Sequence, residues 1–182
     1  KSLKSKKLFS MYNGIFLSYL QIGYIELDRK FVLDCCYLPH HGVLKEENGT
    51  SKLRIVFDGS VKLKTGRSLN DCLHKGPSLI SCLASQLIKF RLHPIILVAD
   101  IREAFLQVEL DLKDREFTRF LWLDDNNSIT TYRFRRVPFG LSCSPFLLNA
   151  TLQLHLQNSS ISELYSSFYV DDFIHGVKDI NE

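Results

Sequence analysis

The chain has 182 residues, 45% of them hydrophobic, enough for a sizeable core and for one domain with at most a subdomain. Its formal net charge of +3 permits a polyanionic partner without requiring one. No stretch reaches the ~18 unbroken apolar residues of a membrane helix, and the basic start KSLKSKKLF leads into no apolar signal core or small-residue cleavage site, so no membrane partner is expected.

In chain order, Leu8, Met11, Tyr12, Ile15, Phe16, Tyr19 and Leu20 recur at steps of three and four, which predicts an amphipathic helix over residues 3 to about 22. IELDRKFVLDCCYLPHHGVL reads as extended. Within it Cys35, Cys36, His40 and His41 invite a zinc reading, but neighbouring side chains of an extended segment point to opposite faces, and a packed strand edge is the better account. The five cysteines have no metal-site spacing and read as reduced thiols of an intracellular protein. KEENGTSKLRIVFDGS reads as a hairpin, turned at Asn48-Gly49 and returning over 53–57. The polar, Gly/Pro-punctuated VKLKTGRSLNDCLHKGP reads as loop.

Ser78 is expected to cap a helix from 79 to about 91, ended ahead of Pro94. IILVAD is near-continuously apolar and predicts a strand buried on both faces. REFTRFLWL and SITTYRFRRV should pair around the polar turn at 124–127, and a further helix is expected from 145 to about 157. FYVDDFIHGV reads as two short strands with the acids at the bend. Strands and helices alternate without a strict βαβ rhythm, so the fold class is α+β, an antiparallel sheet packed on helices. A chain that lacks an initial Met and stops soon after an apolar strand reads as a piece of something longer.

Two adjacent acid pairs contrast. Asp124-Asp125 is followed by Asn126, Asn127 and Ser128, and turn chemistry accounts for it. Asp171-Asp172 is flanked by apolar and aromatic residues, where an unpaired carboxylate is costly to bury. Asp100 ends the apolar run IILVAD in the same fashion. If those strands are neighbours, three carboxylates meet at one sheet edge and cannot all stay ionised without compensation. A divalent cation such as Mg²⁺ would compensate, and two such ions about 3.5–4 Å apart would clamp the attacking and leaving oxygens of a phosphoryl or nucleotidyl transfer. The plainer alternative makes Asp100 a helix N-cap and Asp171-Asp172 a simple turn.

ILVADIREAFLQVEL, VPFGLSCSPFLLNATL and FYVDDFI resemble, in order and approximate spacing, the three core motifs of a reverse transcriptase palm. YLPHHGVLKEENGTSKLRIVFDGS, SLNDCLHKGPSL and KFRLHPI resemble in particular the BEL/Pao group of long-terminal-repeat retrotransposons. The resemblance runs from about residue 20 to 177 and implies a fingers-and-palm fragment of an RNA-directed DNA polymerase. Residues 1–94 would carry the N-terminal helix, fingers hairpin and fingers-palm connection, and 95–182 the palm core, with the thumb absent. Asp100, the backbone carbonyl of Ile101 and Asp171 would be ligands of two Mg²⁺ ions, or of Mn²⁺, with Asp172 completing the acidic cluster. Phe105 falls where the family keeps an aromatic steric gate against the ribose 2′-hydroxyl. The backbone of Glu103, Ala104 and Phe105 would lie near the triphosphate.

Lys45 and Arg54 would grip that triphosphate, with Lys52 a competing candidate and Asp58 the family's usual acid after the arginine. Phe139 and Gly140 would approach the nascent base pair, although retroviral enzymes commonly carry Gln where this chain has Phe139. Arg135 and Arg136 would meet template phosphate or form a solvated strand face. The implied reaction is two-metal addition of a dNTP to a primer 3′-hydroxyl on an RNA or DNA template. The implied partners are the rest of a pol polyprotein, namely thumb, RNase H and integrase, and the implied setting is cytoplasmic, in retrotransposon particles. The rival readings are a truncated or domesticated remnant that binds nucleic acid without extending it, and a nucleotide cyclase on a similar palm.

Overall fold

The computed structural model describes residues 6–30, 32–47, 50–62, 66–124 and 126–179. The elements run α1 (Lys6–Ile22), β1 (Ile25–Leu27), β2 (His40–Glu47), β3 (Thr50–Phe57), α2 (Leu69–Cys72), α3 (Leu83–Phe90), β4 (Ile95–Asp100), β5 (Arg119–Leu123), β6 (Ile129–Phe134), α4 (Ser144–Gln157), β7 (Phe168–Tyr169) and β8 (Asp172–Val177). They form two compact units, neither continuous in sequence: residues 1–73 with 109–142, and residues 74–108 with 143–182.

The first unit holds an antiparallel sheet of order β1-β6-β5 and the hairpin β2–β3. Its core is aromatic because α1 presents Tyr12 and Phe16 one turn apart to inward-facing rings of the strands. Tyr12 stacks on Trp122 at 4.7 Å, Phe16 on Phe120 at 5.0 Å, and Phe57 meets Phe134 edge-on at 4.8 Å. His40 lies inside this cluster. Its Nε2 lies 3.0 Å from the Leu121 carbonyl and so must donate to it, which leaves Nδ1 to accept from the Tyr12 hydroxyl. With both ring nitrogens engaged, His40 is a core residue and not a zinc ligand. Burial lowers its pKa, the Leu121 bond opposes that, and His41 adds to it.

Beside the sheet sits an ion network with no local sequence signature. Arg119 is almost wholly buried, yet it donates to Asp28 at 2.9 Å, to Glu116 at 2.6 Å and to the Lys30 carbonyl at 3.0 Å. Arg133 joins the same acids, 3.0 Å from Asp28, and pairs with Glu26 at 2.7 Å. Buried charges are tolerated when paired and hydrogen-bonded in this way. Arg135 and Arg136 lie at 3.7 Å from Glu26 and 3.8 Å from Glu109, so both charges face acids of their own unit.

The second unit holds the sheet β4-β8-β7 with α3, α4 and two 3₁₀ turns, Ala104–Gln107 and Ser162–Ser167. Three sequence expectations need correction. The helix expected from 79 begins at Leu83, because the Tyr165 hydroxyl takes the Leu79 carbonyl at 3.3 Å and the first helical bond runs from Gln86 N to Cys82 O. The polar loop contains α2, closed by a capping box in which Ser68 and Asp71 each accept from the other's backbone N–H. IILVAD is a strand, but β4 lies at the sheet edge with Leu97 and Val98 half or more exposed, not buried on both faces. An apolar run marks a strand without saying whether it is central.

The hairpin β2–β3 pairs out to Glu47 and Thr50; its expected turn, Asn48-Gly49, lies outside the described residues, as does Asp125. The β5–β6 turn follows expectation, Asp124 accepting from Asn126 N and Ser128 N at 2.9 Å with Asn127 left-handed.

Candidate active site

Antiparallel pairing of β4 with β8 places Asp100 directly opposite Asp172, so the two side chains share a face. β7 and β8 pair Phe168 with Phe173 and Tyr169 with Asp172, leaving Val170 and Asp171 as a two-residue loop. Val170 stands at φ 60°, a position where a hairpin of this length normally carries glycine. The Ile101 N–H donates to the Asp171 carbonyl at 3.0 Å and ties the loop to the end of β4. The acids separated in sequence therefore gather at one end of one sheet.

The gathering has an electrostatic cost. Burial pushes the Asp171 carboxyl above the usual carboxylate range; its own backbone N–H opposes this, and the charges of Asp172 and Asp100 add to it. Among the described residues no three His, Cys, Asp or Glu side chains are arranged to hold a metal ion by themselves. Carboxylate oxygens such as those of Asp100, Asp171 and Asp172 are the chemistry that suits a hard cation carrying water or phosphate in its other positions.

Next to β4, Ala104 and Phe105 lie in the 3₁₀ turn Ala104–Gln107, with Glu103 left-handed at φ 51° just ahead of them. Phe105 is 7% exposed, so packing alone accounts for its ring.

In the first unit, the register of β2–β3 sets Lys45 directly opposite Lys52 and Val43 opposite Arg54. Alternation then puts Lys45, Lys52 and Arg54 on one face of the hairpin, all exposed. The two lysines are thus neighbours across the ladder. Like charges directly across a ladder repel. Asp58 caps a turn, accepting from Ser60 N at 2.9 Å.

Gly140 has φ +100°, and a Cβ there would lie 2.0 Å from the Phe57 carbonyl, so the fold itself demands glycine. Phe139 beside it is a large ring left 65% exposed. Asn70 joins this corner, donating to the Gly140 carbonyl at 3.1 Å and accepting from Ser142 N at 2.8 Å. Sequence reasoning left it in a loop, although the Ser68-x-x-Asp71 box beside it was legible.

The family model for reverse transcriptase (RNA-dependent DNA polymerase) matches residues 47–182, well over half of the chain. The chain belongs to the reverse transcriptase family. Solved structures show the same fold. The native protease-reverse transcriptase of prototype foamy virus is 18% identical, with a TM-score of 0.70 over 96% of this chain and 20% of that one. A foamy viral form in complex with double-stranded DNA gives 18% and 0.73 over 99% and 27%, and one in complex with an RNA/DNA hybrid gives 17% and 0.71 over 97% and 21%. The chain thus spans about a fifth to a quarter of the length of these foamy viral proteins. No curated protein sequence gives a significant match.

Membership of this family gives the acid turn a reverse transcriptase context. The FYVDDFI segment, read from sequence as two strands around a bend, is that bend in the structure. Neither Gln86, which reaches the strand leading into the turn, nor Asn70 was singled out from sequence, because their partners lie far away along the chain.

Proposed function

We propose that this chain is the fingers-and-palm part of an RNA-directed DNA polymerase that adds dNTPs to a primer 3′-hydroxyl, residues 1–94 forming the fingers side and 95–182 the palm core. One observation carries the reading: Asp100 faces Asp172 across β4–β8 while Asp171 occupies the adjoining turn, its carboxyl raised in pKa by burial and by both neighbours. Repulsion of that kind suits a site whose charge is balanced from outside the protein.

Asp100, Asp171 and the Ile101 carbonyl would hold Mg²⁺, or Mn²⁺, with Asp172 contributing charge to the cluster. A divalent cation bound there supplies the Lewis acidity that eases deprotonation of a primer 3′-hydroxyl and offsets charge on the departing pyrophosphate. The rest falls to the chain. Lys45, Lys52 and Arg54 hold the triphosphate, Arg by bidentate bonds and Lys as point charges. Glu103, Ala104 and Phe105 line the sugar and phosphates, and the Phe105 ring excludes a 2′-hydroxyl. Phe139 and Gly140 support the nascent base pair. Template bases select the nucleotide, and the nucleic acid is held mainly through its backbone, with salt-dependent affinity.

The resemblance of the motif blocks to the BEL/Pao group supports a parent element of that kind, which would also carry thumb, RNase H and integrase and act in cytoplasmic particles. The test is primer extension on an RNA template with Mg²⁺ or Mn²⁺, using a pol chain that contains these residues. Asp171→Asn should lower extension at least ~10²-fold, as loss of several kcal/mol of charge stabilisation requires, while backbone binding of duplex persists. Extension unchanged in that variant would end the site assignment. Duplex binding without extension in the parent chain would favour a non-catalytic binding module.

A further inference from the structure

Helix α3 inverts the usual logic of a surface helix, whose apolar residues face inward. Of its eight residues, Gln86 is the buried one, while Leu83, Leu87 and Ile88 are exposed. A buried amide has to find partners. Gln86 Nε2 donates to the Ser166 carbonyl and, at 3.5 Å, to the Phe168 carbonyl. Those two carbonyls bracket the entry to the acid turn: Ser166 lies in the 3₁₀ turn Ser162–Ser167, and Phe168 begins β7.

β7 needs such a hold. It is two residues long, and its ladder is confined to one neighbour, β8. It leads directly into Val170, a β-branched residue at φ 60°. Backbone in that region persists only where the surroundings over-determine it. One restraint comes from within the sheet, where Ser167 Oγ meets His175 Nδ1 of β8 at 2.8 Å. Gln86 supplies a second from α3, outside the sheet.

We infer that Gln86 is a positioning residue, whose amide fixes β7 and the Val170-Asp171 turn in the register that keeps Asp171 beside Asp100 and Asp172. The inference rests on the reading that these acids hold a divalent cation. Gln86 acts through backbone carbonyls and touches none of the acids in its bonds. A side chain of similar volume without donors would leave α3 in place and let the turn relax toward an unstrained φ. A carboxylate would set oxygen against two carbonyl oxygens, whereas a protonated carboxyl would again donate.

The probe is Mn²⁺ alone, its free concentration followed by electron paramagnetic resonance with the full chain and no substrate. Four proteins are compared: the parent, Asp171→Asn, Gln86→Met and Gln86→Glu. The expected result is binding by the parent, loss in Asp171→Asn, and affinity about tenfold weaker in Gln86→Met, as when a group that orients a ligand is removed. Gln86→Glu should be weak near neutral pH and approach the parent, measured at the same pH, as its carboxyl takes up a proton. A role in packing alone moves neither ratio. If Asp171→Asn loses Mn²⁺ while both Gln86 variants bind like the parent at every pH, the positioning role is overturned and the cation site stands. If Asp171→Asn binds like the parent, the cation site itself is overturned, and the role of Gln86 with it. Should Gln86→Met fail to fold, the pH-dependent ratio for Gln86→Glu decides.

Discussion

At the scale of single residues, Asp171 sits where its own charge is disfavoured, between partial burial and two other acids. Replacing it by Asn removes that penalty, so without divalent cation the Asp171→Asn protein should melt at a higher temperature than the parent. Adding Mg²⁺ should then raise the melting temperature of the parent and leave the variant unmoved, since a ligand stabilises only the state that binds it. Calorimetry with and without Mg²⁺ reads both effects. His40 works in the opposite sense. Its folded pKa lies below the ordinary 6.5, so between that value and lower pH the unfolded chain takes up a proton that the folded chain refuses. Stability contributed by neutral His40 is therefore present above pH 6.5 and declines as pH falls below it. Denaturant midpoints between about pH 6.5 and 5 should fall less steeply in His40→Gln than in the parent. The acid was legible from its apolar flanks. The histidine was legible as part of a packed strand edge rather than a metal site, but nothing nearby in the sequence announces Tyr12 and Leu121 as its partners.

At the scale of elements, patterns that close locally were readable and those that close at a distance were not. α1, α4, the β5–β6 turn and the β2–β3 pairing follow from periodicity and turn residues. α2 was missed because its short capping box is embedded in a polar, glycine-marked stretch. The start of α3 was misplaced because a tyrosine 86 residues away takes the carbonyl that a longer helix would have used. The Arg119–Asp28–Glu116 cluster joins segments 91 residues apart at its widest, and no window of sequence contains it. For the hairpin, register supplied what composition left open, namely that Lys45 and Lys52 are directly opposed. Lys52→Ala should therefore stabilise the anion-free hairpin by about 0.2–1 kcal/mol and at the same time weaken dNTP binding. Unfolding and nucleotide titration of the same variant would show the two effects with opposite signs. A loss of stability without loss of nucleotide affinity would mean that the patch is only a solvated face.

At the scale of the whole molecule, the two compact units each draw on separated stretches of chain. The sheet of the second has β4 at its edge, with Val98 68% exposed. Exposed apolar edges template pairing with other chains unless charge interrupts them. Val98→Lys should leave stability within about 0.5 kcal/mol of the parent, as for most surface changes, while lowering self-association. Sedimentation at rising concentration measures the second effect and chemical unfolding the first.

The pairing of β4 with β8 also fixes an order of events during synthesis. Asp100 leaves the ribosome ahead of Asp171 and Asp172, on a strand whose neighbour in the sheet has not yet been translated. Until residues 168–177 emerge, the nascent chain has one acid of the cluster, no turn for Asp171 and an apolar strand open on both edges. Long-range pairing of this kind is slow and leaves edges exposed meanwhile. The acidic cluster thus completes only once residues 168–177 are made, and a message interrupted between Asp100 and that stretch yields a protein that displays β4 to chaperones and proteases without acquiring the means to bind a cation.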